Sequence, residues 1–214
     1  MKGNFVPALR FKALTRFYDP VVRLTTRERR VKQALIAATD IPEGATVLDL
    51  GCGTGTMSIW IKQQHPGARV IGVDLDPVIL DIARVKAEQA GVAIEFIEAS
   101  AADTLLPNDS VDRVVSSLFF HHLMTDQKLQ VIHEMFRILA ADGEVHISDW
   151  GRPANSLMRL LFFFVQLLDG FPTTNDSVAG KLPKLLAQAG WRHVHEHTHF
   201  NTVLGTLRLV EATK

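Results

Sequence analysis

Apolar positions along the chain follow two alternating rhythms. Short runs such as Thr46-Val47-Leu48-Asp49-Leu50 and Arg69-Val70-Ile71-Gly72-Val73-Asp74 are dense in aliphatic residues, the pattern of strands buried on both faces. Ile94 to Glu98, Val111 to Ser117 and Gly143 to Ser148 repeat it. Helical spacing separates these runs. Thr56 to Gln64 is closed by His65-Pro66-Gly67, a second helix opens at Pro77 and stops at Gly91, and Gln127 to Leu139 carries Leu129, Ile132, Phe136 and Leu139 on one face. Strands alternating with helices require right-handed parallel crossovers, so the pattern predicts a doubly wound α/β sheet covered on both faces.

Other segments decorate this core. Ala8 to Ala38 is expected to form two helices broken near Asp19-Pro20, and Asn155 to Leu168 one very apolar helix. Val178 to Ala189 is expected to be helical up to Gly190, with Trp191–Phe200 and Gly205–Thr213 as a closing antiparallel pair. With no low-complexity linker, the chain divides into parts of a single domain: an N-terminal helical cap (1–40), a core (41–149), an inserted lid helix (150–177) and a closing helix and strand pair (178–214).

Composition narrows the class. Charged residues make up 21% and apolar residues 47% of 214, and formal net charge is zero, which argues against a nucleic-acid partner. The balance is uneven: residues 1–40 hold nine Lys/Arg against three Asp/Glu. Arg10, Lys12, Arg16, Arg23, Arg27, Arg29 and Arg30 form either a solvated helical face or a contact for an anionic substrate or membrane surface. Cys52 is the single cysteine, there is no signal-peptide pattern, and Leu157–Leu168 is shorter than the about 20 residues that span a bilayer. A cytoplasmic protein is expected.

The chemistry concentrates in Asp49-Leu50-Gly51-Cys52-Gly53-Thr54-Gly55. Glycines directly after a buried strand let the backbone turn tightly and approach a ligand at the carboxyl edge of the sheet. The Gly-x-Gly-x-Gly spacing differs from that of dinucleotide binders, and no Gly-Lys-Ser/Thr follows, which excludes a P-loop. Asp49 is unwelcome beside a pyrophosphate but suits a ligand carrying ammonium and sulfonium charges. Asp74 ends the second strand, where a carboxylate can accept both hydroxyls of a ribose, while Asp76 before Pro77 fits a helix cap.

These motifs, with Ser110-Val111-Asp112-Arg113-Val114-Val115-Ser116 and Phe136-Arg137-Ile138-Leu139-x-x-x-Gly143, resemble class I S-adenosylmethionine (SAM)-dependent methyltransferases over about Ala45 to Asp149. The likeness is to the ubiquinone/menaquinone-biosynthesis and small-molecule subgroup. It implies a Rossmann-like, mostly parallel seven-stranded sheet with an antiparallel last strand. It also implies SAM as cofactor, with S-adenosylhomocysteine as product. By the resemblance, Asp49 and Gly51, Cys52, Gly53, Thr54 and Gly55 hold the methionine end, Asp74 the ribose, and Leu75 the adenine. Ser116 and Ser117 fall beside the cofactor as well. Ser100-Ala101 stands where the family often has Asp-Ala; Ser100 accepts from the adenine amino group, Asp103 substitutes, or Ser100 only caps a short helix.

Methyl transfer asks for an aligned nucleophile and, for some acceptors, a base. His121 and His122 follow the fourth strand, where the Asn/Asp-Pro-Pro-Tyr of amino-methylating enzymes is missing; each is either the base or a packing histidine. Asp149 is a third candidate, as base or orienting group or as a turn residue, with Trp150 as a pocket wall. His193, His195, His197 and His199 alternate on one strand face and would span about 20 Å, so at most an adjacent pair can share an ion; no metal is expected.

Leu157–Leu168 is apolar nearly all round, so it packs in the core or covers an apolar substrate, with Phe163 and Gln166 as substrate contacts and Asp169-Gly170-Phe171-Pro172 as a hinge. The expected acceptor is a small apolar or amphipathic molecule: a quinone precursor, lipid or secondary metabolite. Peripheral lipid contact is compatible with this, the acceptor atom and oligomeric state stay open, and a SAM-binding protein without turnover is the alternative.

Overall fold

The structure, a computed structural model, describes residues 27–214. Most of the expected N-terminal helix pair, with Arg10, Lys12, Arg16 and Arg23, lies outside the described residues. Its end is seen as α1 (Glu28–Thr39). Then come β1 (Thr46–Leu50), α2 (Thr56–Gln64), β2 (Arg69–Asp74), α3 (Pro77–Gln89), β3 (Glu95–Glu98) and β4 (Val111–Ser117). A 3₁₀ turn (Phe120–His122), α4 (Thr125–Ile138), β5 (Leu139–Trp150), α5 (Ser156–Asp169), α6 (Phe171–Ala179), α7 (Leu182–Gln188), β6 (Arg192–Thr202) and β7 (Gly205–Thr213) complete it.

The seven strands form one sheet in the order β3-β2-β1-β4-β5-β7-β6. β1 to β5 pair in parallel, β7 runs antiparallel to β5, and β6 antiparallel to β7. This is the doubly wound, mostly parallel sheet that alternating strands and helices predict. Neighbouring strand residues feed opposite cores. Val47, Val70, Val115 and Leu209 pack with Val31, Leu35, Ile61 and Phe162 of α1, α2 and α5. Leu48, Ile71, Val114 and Val210 pack with Ile132, Met135 and Leu186 of α4 and α7. Burial on both faces explains why these strands read as unbroken apolar runs. The chain reverses direction of growth between β1 and β4, which opens a crevice at their carboxyl ends, where open α/β sheets bind ligands.

Three local expectations are corrected. β5 starts at Leu139, not Gly143: Leu139 pairs with Val111, then the register shifts so that Glu144 meets Arg113, and Asp142 sits at φ 58°. The polar stretch Ala141-Asp142-Gly143 hides this bulge from any search for apolar alternation. The helix expected over 178–189 is two helices, because Gly180 at φ 65° ends α6. α6 begins earlier, at Phe171, where the Thr173 and Thr174 hydroxyls donate back to Asp169 and Gly170 carbonyls. Finally, the β6 histidines do not share one face. Register shifts at Arg192/His195 and Glu196/Thr198 put His195 opposite Glu211 but His199 opposite Arg208, adjacent parities of β7 that point to opposite sides.

Candidate active site

The glycine turn is shaped by backbone and packing together. Gly51, Gly53 and Gly55 all have positive φ, at 70°, 55° and 72°. The Gly51 and Cys52 amides both donate to the Val73 carbonyl, which pins the turn to the end of β2. Gly51 has a steric duty too: a Cβ there would lie 2.6 Å from the Phe119 ring. Phe119 belongs to the segment after β4, so the turn and the histidine segment are in direct contact. The Ser116 hydroxyl adds to this by donating to the Leu50 carbonyl at 2.8 Å.

Two carboxylates face this turn. Asp49 is fully buried and accepts from Ser58 on α2 twice, from its hydroxyl at 2.6 Å and from its backbone amide. Burial pushes its pKa up to about 6, against the opposing pull of the Ser58 bonds and of Lys32 on α1. A carboxylate whose burial outweighs its partners in this way favours a positively charged neighbour. Asp74 accepts from the Gly53 amide at 2.9 Å and the Asp76 amide at 3.0 Å, while burial raises its pKa. Asp76 caps α3 through the Val78 amide, the role its place before Pro77 predicts. The Cys52 thiol is raised well above its usual range by burial and by the Asp49 and Asp74 charges. Thr54 accepts from Lys86 on α3 at 2.9 Å.

A second group gathers where β4 and β5 end. His121 Nδ1 stands 2.7 Å from Asp149 Oδ1, and the His121 amide donates to the same carboxylate. Both side chains are buried, at 4% and 3% exposure. Burial works against charging His121, but Asp149 and then Asp169 outweigh it and raise the imidazole pKa. Asp149 is itself opposed by burial yet lowered by His121. His121 Nε2 lies 3.7 Å from Asp169 Oδ2, beyond hydrogen-bond length. His122, its ring centroid 3.9 Å from that of His121, is pushed down to about 3 by burial and by His121. Trp150 sits edge-on to His121 and packs on Phe162 of α5. One ligand atom each from His121, His122 and Asp169 lies within 4.8 Å of the others, a spacing open to a cation, while Nδ1 of His121 is taken up by Asp149 at 2.7 Å.

The structure therefore brings together Asp49, Gly51–Gly55 and Asp74 on one side, and His121, His122, Asp149 and Trp150 on the other, with Ser116 and Phe119 between. Ser117 joins them with a buried hydroxyl that has no hydrogen-bond partner among the described residues. Leu75 is 42% exposed next to Asp74. Ser100 is exposed and accepts from the Ala102 amide, with Ala101 between them, so its hydroxyl serves the turn. Two expected substrate contacts part company. Phe163 lies on the outer face of α5 against Phe171, whereas Gln166 is wholly buried and its amide nitrogen is held by Thr174 and Asn175 of α6. Gln166 links α6 to α5 through its amide nitrogen, while its buried side-chain oxygen has no hydrogen-bond partner among the described residues. Asp169 and Ser58 were not foreseen as site residues: one closes a helix far along the chain, and the other is a serine in a first turn with nothing local to mark it. A cavity of about 600 Å³ opens elsewhere, lined by Gly67–Val70 and Val92–Phe96.

A doubly wound sheet with a glycine turn and two buried carboxylates at its switch point has the architecture of nucleoside-type binding folds. Comparison with known proteins narrows this. Residues 47–143 match the methyltransferase domain family. A demethylmenaquinone methyltransferase of Thermus thermophilus is 32% identical over 155 residues, covering 72% of this chain and 67% of that one. An uncharacterized methyltransferase of Synechocystis is 30% identical over 200 residues, 91% of this chain and 90% of its own. In structure, a SAM-dependent methyltransferase from Aquifex aeolicus superposes with TM-score 0.70 at 19% identity over 95% of this chain and 99% of that one. A Nostoc punctiforme protein superposes with TM-score 0.74 at 22% identity over 94% of this chain, which spans 59% of that longer protein. The chain belongs to the SAM-dependent methyltransferase family, and SAM is its cofactor. No helix among the described residues is long and apolar enough to cross a membrane.

Proposed function

We propose that this enzyme methylates a small apolar ring bearing an acidic hydroxyl, of the reduced-quinone type, with His121 as general base. The observation that carries the proposal is the buried 2.7 Å pair of His121 and Asp149 at the β4–β5 rim. Asp149 holds Nδ1, which leaves Nε2 for the acceptor. His122, pushed down to about 3, is too weak a base to compete near neutral pH. The curated relatives named demethylmenaquinone methyltransferases point to the same acceptor chemistry.

When bound, SAM supplies a methyl group already activated by its sulfonium. The chain's residues orient and deprotonate. In this reading the Gly51–Gly55 turn, with Cys52 and Thr54, meets the methionine end; Asp49 sets a negative charge beside the cationic centre, and Asp74 accepts from the ribose. Leu75 and Ala101 flank the adenine, while Ser116 and Ser117 line the floor. His121 would take the hydroxyl proton of the acceptor, and SAM would supply the methyl group to the resulting oxygen or to a ring carbon; at carbon, the ring C–H proton is then lost and a proton returns to the oxygen, which restores the aromatic ring. Trp150 walls the ring, and the outer face of α5, with Phe163, meets its apolar substituent.

The test uses protein cleared of bound ligand. Calorimetry with SAM, S-adenosylhomocysteine and NAD should show micromolar binding of the first two alone, and Asp74→Ala should weaken it sharply without unfolding the chain. Labelled methyl should then pass from SAM to a naphthohydroquinone kept reduced. SAM binding with no label in hydroquinones, phenols or lipids would end the transferase assignment for this acceptor class, and unchanged affinity in the Asp74 variant would remove the ribose contact.

A further inference from the structure

The β6 edge of the sheet carries a second cluster that methyl transfer does not use. Glu211 on β7 is ringed by imidazoles: His195 Nδ1 lies 3.0 Å from Oε1, and His197 Nδ1 lies 3.7 Å from Oε2. From the neighbouring strand β5, His146, the cross-strand partner of Glu211, places Nδ1 3.8 Å from Oε2, while its Nε2 contacts Glu144 at 3.1 Å. Two residues apart on a regular strand, His195 and His197 would stand roughly 7 Å apart and both parallel. The register shift between Glu196 and Thr198 brings both to the same carboxylate instead.

We propose that His195, His197 and Glu211 form a site for a divalent transition metal of the zinc kind. One ligand atom from each lies within 4.8 Å of the others, and no ion is present. Ligands bound tetrahedrally to zinc stand about 3.4 Å apart, so small rotations of two half-exposed histidines close the site. The donor set, two imidazoles and one carboxylate, suits zinc and its neighbours and leaves one position for water. His146, buried and itself held by Glu144, supports the carboxylate from β5 as outer partners of metal ligands do. An ordinary ion pair needs only one imidazole beside Glu211, and this carboxylate has three. Seated there, the ion would fasten the edge strand β6 to β7, four residues along β5 from Trp150 and apart from the methyl-transfer site.

The experiment takes chelator-stripped protein without an affinity histidine tag and titrates zinc chloride by calorimetry, with Tm read in parallel. One ion per chain at micromolar affinity and a Tm rise of several degrees are expected. His195→Ala, His197→Ala and Glu211→Gln should each weaken binding at least about tenfold while keeping the wild-type metal-free Tm. His199→Ala, on the opposite side of the strand, should bind normally. Absence of binding, binding that survives all three variants, or equal loss in His199→Ala, which would mark a non-specific histidine strand, would each overturn the site. SAM affinity should be unchanged throughout, so this result stands or falls apart from the methyltransferase assignment.

Discussion

Around β1 and β2 the cofactor side is built mostly from backbone: three glycines in left-handed conformations, amides turned toward the end of β2, and two carboxylates close by in sequence. Around β4 and β5 the proposed acceptor side is built from side chains. His121, Asp149 and Asp169 come from a 3₁₀ turn, a strand end and a helix end, and meet only because the topology folds them together. The first kind of site writes itself into a short stretch of sequence, because each glycine answers a local steric demand. The second kind leaves only isolated polar residues, whose partners are set by the fold. The two halves should therefore fail differently when disturbed.

The largest expected effect lies on the acceptor side. His121→Ala should lower kcat by about 10²- to 10⁴-fold, the usual worth of a general base, and leave SAM affinity within twofold. Steady-state rates with calorimetry decide it; a parallel loss of both would make His121 a packing residue. Protonation gives a second reading. Because the Asp149 charge raises His121, the base is neutral only above its usual 6.5, so the acidic limb of kcat/KM should fall at higher pH than that. Asp149→Asn should move the limb downward. For stability the sign is opposite: His121 contributes fully below 6.5, and its contribution fades as pH rises through the raised folded value.

On the cofactor side the disturbance is steric. Gly51→Ala adds a Cβ at positive φ and 2.6 Å from the Phe119 ring. Backbone strain of about 1–2 kcal/mol and overpacking of about 1–3 kcal/mol should together be visible in denaturant unfolding. Gly53→Ala carries only the backbone part, since nothing lies within 4 Å of its Cβ. Equal costs for the two would mean that the contact with Phe119 carries no load.

Asp49→Asn separates stability from function more gently. The folded chain holds the Asp49 proton until about pH 6, against 3.8 for a free carboxyl, so stability is lost as pH rises through that window. About two pKa units amount to roughly 3 kcal/mol at most. The asparagine variant should be about 1–3 kcal/mol more stable than the parent at pH 8, equal to it at pH 4, and poorer at binding SAM. Greater stability with unchanged SAM affinity would strip Asp49 of its place beside the cationic centre.

Legibility followed the same divide. The strands of the core, the glycine turn and the Asp76 cap were readable because local chemistry dictates them. His121 and His122 could be singled out but not told apart, because what separates them is Asp149 against one ring and burial against the other. Asp169 was legible only as part of a hinge after an apolar helix, because its nearness to His121 is set by the fold. Bulges erased the rest. The one in β5 lengthened the strand through polar residues, and those in β6 sent His195 and His199 to opposite sides, where strict alternation puts them together.

The smallest effect concerns α5, where the apolar run has two fates. Phe162 and Val165 are buried against Trp150 and the sheet, whereas Leu160, Phe164, Leu167 and Leu168 stand 57–86% exposed. Core packing explains the first pair and says nothing of the second, because a helix that only needs to cover the sheet keeps polar residues outside. A lipophilic acceptor tail lying along that face would gain from each side chain it covers. Losing one large side chain from such a contact is worth about 1–2 kcal/mol, near a tenfold change in KM. Phe164→Ser and Leu168→Ser should thus raise KM for a prenylated naphthohydroquinone about tenfold, leave the unprenylated ring unaffected, and shift stability by no more than about 0.5 kcal/mol. Equal KM changes for both acceptors would place the tail elsewhere and return the exposed face of α5 to an unexplained surface.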